Sequence, residues 1–216
     1  MKLEAAARTS APVIALPRLY CIADSACLPT AAEMLHFVES IAAAGCTLLQ
    51  YRNKGGITRV MLQQARELRD RVGKSVRLIM NDCADLCLAA DFHGVHVGQD
   101  DLSPEAVRAI IGSDRWLGIS THNPGQLRQA DLTSADYLAI GPVFATASKE
   151  KPDPVVGLEG VRRARALTSK PLVAIGGITR ANAASVMEAG ADSVAVISDL
   201  LRDPRKSAEE FLRILR

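Results

Sequence analysis

Two aspartates stand where short apolar runs turn polar. Asp82 closes Val76-Arg77-Leu78-Ile79-Met80-Asn81-Asp82, and Gly94-Val95-His96-Val97-Gly98-Gln99 opens onto Asp100-Asp101. If each run is a buried strand of an alternating strand and helix protein, its carboxyl end faces the functional side. Two carboxylates meeting there supply hard oxygen ligands for Mg2+, and that ion points to a phosphate-bearing ligand. The strand period alone does not choose between Asp100 and Asp101. The plainer reading makes Asp82 and Asp101 helix N-caps, a position that favours aspartate.

Other polar run-ends add anion chemistry. Alternation in Gln50-Tyr51-Arg52-Asn53-Lys54 places Gln50, Arg52 and Lys54 on one side. A guanidinium and an ammonium so spaced can grip a polyanion, unless the segment is a solvated charged loop. Gly118-Ile119-Ser120-Thr121-His122 offers a hydroxyl donor at Ser120 and, at His122, either a base or a structural histidine. The long segment 141–154 carries Thr146, Ser148 and Lys149. It reads as a binding loop for an oxyanion or as a plain surface loop. Gly176-Gly177 and Ile197-Ser198 offer backbone N–H groups suited to a phosphate. No Ser-His-Asp order or Cys-His pair points to a covalent nucleophile.

These residues need elements to hold them. Eight short β-rich runs recur, starting near Leu19, Thr47, Val76, Gly94, Trp116, Tyr137, Leu172 and Ser193, each with a helical pattern behind it. Ser103-Pro104-Glu105 has the form of an N-cap with proline at the first helical position. The runs are apolar throughout, as strands covered on both faces must be. Eight such units predict a single (β/α)8 TIM barrel over residues 18–216, with 1–17 as a flexible N-terminal arm. Gly177 and Ser198 then follow the seventh and eighth strands, where this barrel habitually holds phosphate. A doubly wound open sheet is the rival, but Ala23-Asp24-Ser25-Ala26 follows the first strand instead of a glycine-rich turn.

Composition narrows the classes. The chain has 216 residues, 48% of them hydrophobic, enough for one domain with a sizeable core. A net charge of +2 with 4% aromatic residues argues against a nucleic-acid surface. No apolar run approaches the span of about 20 residues that a membrane helix needs. Cys21, Cys27, Cys46, Cys83 and Cys87 are odd in number and match no metal spacing, so they are expected to be buried, reduced thiols in the cytosol. The sequence leaves homo-oligomerisation open.

In order and spacing, these segments resemble the thiamine phosphate synthase family from about Leu19 to Ser198. The matching pieces are Gln50 to Lys54, Asn81-Asp82, Gly94 to Asp101, Gly118 to His122, Gly141 to Phe144, Ala174 to Ile178 and Val194 to Ser198. The resemblance implies a cytosolic, Mg2+-using TIM barrel. Such an enzyme transfers a pyrimidinylmethyl group from hydroxymethylpyrimidine diphosphate to a thiazole phosphate and releases pyrophosphate. Carried across by position, Gln50, Arg52, Lys54, Asn81, Ser120 and Lys149 hold the pyrimidine diphosphate. Arg52, Ser120 and Lys149 are the catalytic set. Asp82 and Asp101 take the metal, which decides against Asp100. Thr146, Ala147, Ser148, Gly177, Ile197 and Ser198 receive the thiazole phosphate. The chain departs from the family at Ala145, where proline is common, and at Ser148, where threonine is common. The hydroxyl survives at Ser148, and loop stiffness is what the departure touches.

Two rival functions are set against this one. A thiazole tautomerase needs a base such as His122 but no metal pair. A regulatory phosphate-binding barrel explains Gly177 and Ser198 but leaves the aspartates idle.

Overall fold

Runs that are apolar at every position belong inside a sheet covered on both faces. The computed structural model, which describes residues 14–146 and 153–216, places them there. The strands are β1 (Leu19–Asp24), β2 (Leu48–Arg52), β3 (Arg77–Asn81), β4 (Gly94–Val97), β5 (Trp116–Thr121), β6 (Tyr137–Ile140), β7 (Leu172–Ile175) and β8 (Ser193–Val196). The helices alternate with them: α1 (Ala31–Ala43), α2 (Thr58–Val72), α3 (Ala84–Ala89), α4 (Pro104–Ile111), α5 (Pro124–Asp131), α6 (Gly157–Leu167), α7 (Ala183–Glu188) and α8 (Pro204–Ile214). Every strand pairs in parallel with its sequence neighbours, and β8 closes onto β1 with Leu19 opposite Val194. The fold is a closed (β/α)8 barrel.

Period-two alternation splits the core in two. One cluster, with Leu49, Leu78, Val95 and Val194 among its members, packs the strands against the helices. The other fills the barrel interior with Tyr20, Ile22, Leu48, Ile79, Tyr137 and Val173. Ile14 and Leu16, from the end of the expected arm, pack against this inner cluster together with Trp116. The Arg77 guanidinium stacks 4.0 Å above the Trp116 ring, at the strands' amino ends.

Local signals set the helix starts. Thr30 and Glu33 form a capping box on α1, and the Ser103 side chain caps α4 with Pro104 behind it. Neither Asp82 nor Asp101 is a cap. Helix α3 starts after Cys83, which makes no side-chain cap bond, and α4 starts after Ser103. The expectation of uniformly buried thiols needs correction. All five cysteines are free, but Cys27 is exposed and Cys83 is half-buried. Cys27 lies in the turn closing β1, where its N–H reaches Asp24 O, and Cys83 stands at the start of α3 on the rim. Among the described residues, no helix is long and apolar enough to cross a membrane.

Candidate active site

The carboxyl ends of the strands gather the expected site residues at one rim of the barrel. Gln50 and Arg52 belong to β2, Asn81 ends β3 and Ser120 belongs to β5. Lys54, Asp82, Asp101, Thr146, Gly177, Ile197 and Ser198 follow β2, β3, β4, β6, β7 and β8. Ala147, Ser148 and Lys149 lie outside the described residues.

The aspartates do meet. Asp82 adopts φ 62°, a left-handed conformation that aspartate tolerates better than most residues. Burial raises its pKa, the adjoining Asp101 carboxylate raises it further, and Lys54 works the other way. Lys54 Nζ lies 3.0 Å from Asp82 Oδ2, and Asn81 Nδ2 donates to the same oxygen over 2.7 Å. Asp101 Oδ2 accepts the Gly98 N–H at 2.7 Å. Two partly desolvated carboxylates this close repel each other, and a divalent cation between them relieves that repulsion. No group of three or more His, Cys, Asp or Glu residues is placed to hold a metal among the described residues. The paired carboxylates of Asp82 and Asp101 fit Mg2+, an ion commonly bound through one or two carboxylates.

Asp24 orients Arg52. The Asp24 side chain is 2% exposed and pairs through Oδ2 with Arg52 Nη1 at 2.5 Å, while Oδ1 accepts the Ala26 N–H. This pairing engages one nitrogen of the guanidinium, whose fork carries further donors. Beneath it lies a buried polar string. Gln50 Nε2 donates to the Tyr20 hydroxyl, which meets the Tyr137 hydroxyl, which meets His96, which meets Ser120. Burial raises the pKa of both tyrosines and pulls the His96 imidazole down to about 4, so all three are neutral near pH 7. Gln99 Nε2 donates to Ser120 O, tying the ends of β4 and β5.

A second group of loops lies across the rim. Val143 and Phe144 donate backbone N–H groups to Ile175 and Gly176, which extends the β6–β7 pairing past the strands. Gly177, at φ 63°, sits under this ledge, where a Cβ would stand 2.5 Å from Ala145 O. Asn182 holds the turn by donating to Gly177 O and accepting the Thr179 N–H. Ser198 opens a short 3-10 helix (Ser198–Leu200) and is exposed. No hydrogen bond among the described residues joins Ser198 to Gly177 directly. The link runs through Arg180, whose N–H and guanidinium both reach Asp199.

The remaining sequence candidate follows β5 at the same end of the barrel but faces the helices. His122 lines a cleft between α5 and α6 with Leu127, Val156 and Gly160. Its Nδ1 is 2.6 Å from Gly141 O and its Nε2 is 3.5 Å from Asp153. Sequence reasoning missed Asp24, Tyr20, Tyr137 and Gln99 as parts of the site, and it gave His96 no role. Strand parity was the available signal, because Tyr20, Ile22 and Asp24 alternate along one strand.

A family profile described as thiamine monophosphate synthase matches residues 19–200. The chain belongs to that family. It is 61% identical to the thiamine-phosphate synthase of Koribacter versatilis (strain Ellin345), over 93% of this chain and 96% of that one. It is 44% identical to the thiamine-phosphate synthase of Chloroflexus aurantiacus, over 92% of each. Among solved structures, thiamine phosphate pyrophosphorylase from Pyrococcus furiosus superposes with a TM-score of 0.79 at 32% identity. That superposition covers 92% of this chain and 95% of the archaeal one. Membership makes the chain a transferase of thiamine biosynthesis, and the rim just described is where its residues converge.

Proposed function

We propose that the chain joins hydroxymethylpyrimidine diphosphate to a thiazole phosphate, giving thiamine phosphate and pyrophosphate by dissociative substitution. The observation that carries this reading is the adjoining pair Asp82 and Asp101, held beside Lys54 and across the rim from the Gly177 and Ser198 backbone. Mg2+ held by the two aspartates supplies neutralisation of the departing diphosphate oxygens. Arg52, braced by Asp24, and Lys54 bind those oxygens as well, and Asn81 and Gln50 hold the pyrimidine diphosphate in register. Lys149 is assigned by its place in the chain to the leaving pyrophosphate, and Ser120 to the ring. The bond between the exocyclic carbon and the diphosphate oxygen breaks, and the electron pair leaves with pyrophosphate. The ring's own electrons support the carbon until the thiazole nitrogen bonds to it. The chain's work is to bind, orient and exclude water, and no protein nucleophile is required. Thr146, Ala147, Ser148, Gly177, Ile197 and Ser198 receive the thiazole phosphate. The free thiols accord with a cytosolic setting.

The tautomerase reading is weakened by the placement of His122, which is engaged with Gly141 and Asp153 beside α5 and α6. The deciding experiment is pyrophosphate release from the pyrimidine diphosphate, with and without the thiazole phosphate and Mg2+. Release that requires all three components is expected. Thiazole isomerisation without metal, or phosphate binding without turnover, sinks the proposal. Lys149→Ala is expected to slow pyrophosphate departure more than it weakens thiazole phosphate binding. Equal loss of both, in single-turnover and binding measurements, removes Lys149 from that role.

A further inference from the structure

Five side chains form an unbroken polar path through the barrel core. Gln50 Nε2 donates to the Tyr20 hydroxyl over 2.9 Å, and the Tyr20 and Tyr137 hydroxyls lie 3.1 Å apart. The Tyr137 hydroxyl is 3.1 Å from His96 Nδ1, and His96 Nε2 is 2.8 Å from Ser120 Oγ. The path runs from β2 through β1, β6 and β4 to β5, and its two middle links, β1 to β6 and β6 to β4, join strands that do not neighbour one another. Gln50, Tyr20, Tyr137 and His96 are 4%, 1%, 0% and 7% exposed, which leaves little water to share their bonds. Gly118 makes the space, because a Cβ there would collide with the Tyr137 ring and stand 2.5 Å from His96 Nδ1.

The directions of these bonds depend on one another. An amide nitrogen cannot accept, so Tyr20 accepts from Gln50. The Tyr20 proton then has one partner, the Tyr137 hydroxyl, and a buried hydroxyl left undonated is costly. Tyr137 therefore donates to His96 Nδ1. The neutral imidazole carries its proton on Nε2 and donates to Ser120 Oγ. The Ser120 proton is left to point into the bowl, and among the described residues Gln50 Oε1 accepts no bond. Turning the Gln50 amide over reverses every link. Tyr20 then donates to Oε1, His96 donates from Nδ1, and Ser120 spends its proton on Nε2.

We propose that Tyr20, Tyr137 and His96 form a positioning relay that couples the amide orientation of Gln50 to the hydrogen-bonding sense of Ser120. The relay thereby admits a heterocycle with a donor toward β2 only together with an acceptor toward β5, or the inverse pair, and the orientation with Gln50 Nε2 on Tyr20 favours the first. The inference rests on the reading of Gln50 and Ser120 as ring contacts. An aminopyrimidine, with an amino N–H and a bare ring nitrogen, presents that pattern. Its oxo counterpart, with a carbonyl and a ring N–H, presents the inverse and matches only the reversed chain.

The test is a double-mutant cycle on binding of the pyrimidine diphosphate, read by calorimetry with Mg2+. Gln50→Ala, Ser120→Ala and the double variant are compared first in the native chain and then in a Tyr137→Phe background. In the native chain the double variant should depart from the product of the single effects by about fivefold or more. In Tyr137→Phe the effects should multiply without residue, and preference for the amino over the oxo ring should narrow by roughly tenfold. Tyr20→Phe cuts the path at another link and stands in should Tyr137→Phe fail to fold. Additive effects in the native chain, or coupling that persists after either cut, overturn the relay alone. A native chain that binds no pyrimidine diphosphate overturns the site reading with it. General loosening of the barrel is told apart by thiazole phosphate affinity, which the relay leaves unchanged.

Discussion

Asp82 carries opposing demands in one side chain. Its pKa is raised by burial first and by Asp101 second. A carboxyl whose folded pKa lies above its unfolded value contributes stability at low pH and loses it as pH rises, so at neutral pH the ionised pair opposes folding. Asp82→Asn removes that opposition. It keeps a side chain able to meet Lys54, and asparagine tolerates φ 62°. Unfolding curves should show equal or greater stability, while turnover falls by roughly two to three orders of magnitude. A destabilised variant or near-native turnover contradicts this. Asp24→Asn makes the complementary case, because it leaves Arg52 charged but unbraced. We expect KM for the pyrimidine diphosphate to rise roughly tenfold to a hundredfold with KM for the thiazole phosphate unchanged, in steady-state kinetics. Asp82 was legible as chemistry from its place at a strand end. Asp24 was not, because an aspartate closing an apolar run reads equally well as a turn residue until Arg52 is seen beside it.

Among the elements, the loops after β6 and β7 behave as one unit. The Val143 and Phe144 N–H groups bind Ile175 and Gly176, and Gly177 passes beneath Ala145 and Phe144. Gly177→Ala must push this ledge upward and hold alanine at φ 63°, a strain of about 1–2 kcal/mol before any clash. The expected result is a roughly tenfold weaker thiazole phosphate site with pyrimidine diphosphate affinity little changed, measured by titrating each ligand. An equal loss at both sites refutes the division of the rim into two halves. The elements themselves were readable, because apolar runs and caps such as Ser103 are local signals. The polar path from Gln50 to Ser120 was not. Tyr20, His96 and Tyr137 sit inside apolar strands and look like core residues until barrel closure brings β1, β4 and β6 around one axis.

For the molecule as a whole, buried neutral histidine sets the acid limit. Burial lowers His96 from 6.5 to about 4. Between those values the unfolded chain binds a proton that the folded chain refuses. This group's contribution is therefore complete above pH 6.5 and drains away as pH falls toward 4, by on the order of 3 kcal/mol. Burial shifts His93 the same way and adds to the loss. Urea unfolding measured across that interval should show stability falling with acidity, and His96→Asn should flatten the slope. An unchanged slope in the variant removes His96 as the cause. The same enclosure governs traffic. Ile14, Leu16 and Trp116 pack against the inner cluster at the strands' amino ends, opposite the rim that gathers the candidate residues. Gln50 lies nearly buried in the barrel, while Ser198 stands exposed at the lip. On the proposed assignment the ring that meets Gln50 lies deeper than the phosphate that meets Ser198, so the form of the vessel favours filling from the bottom.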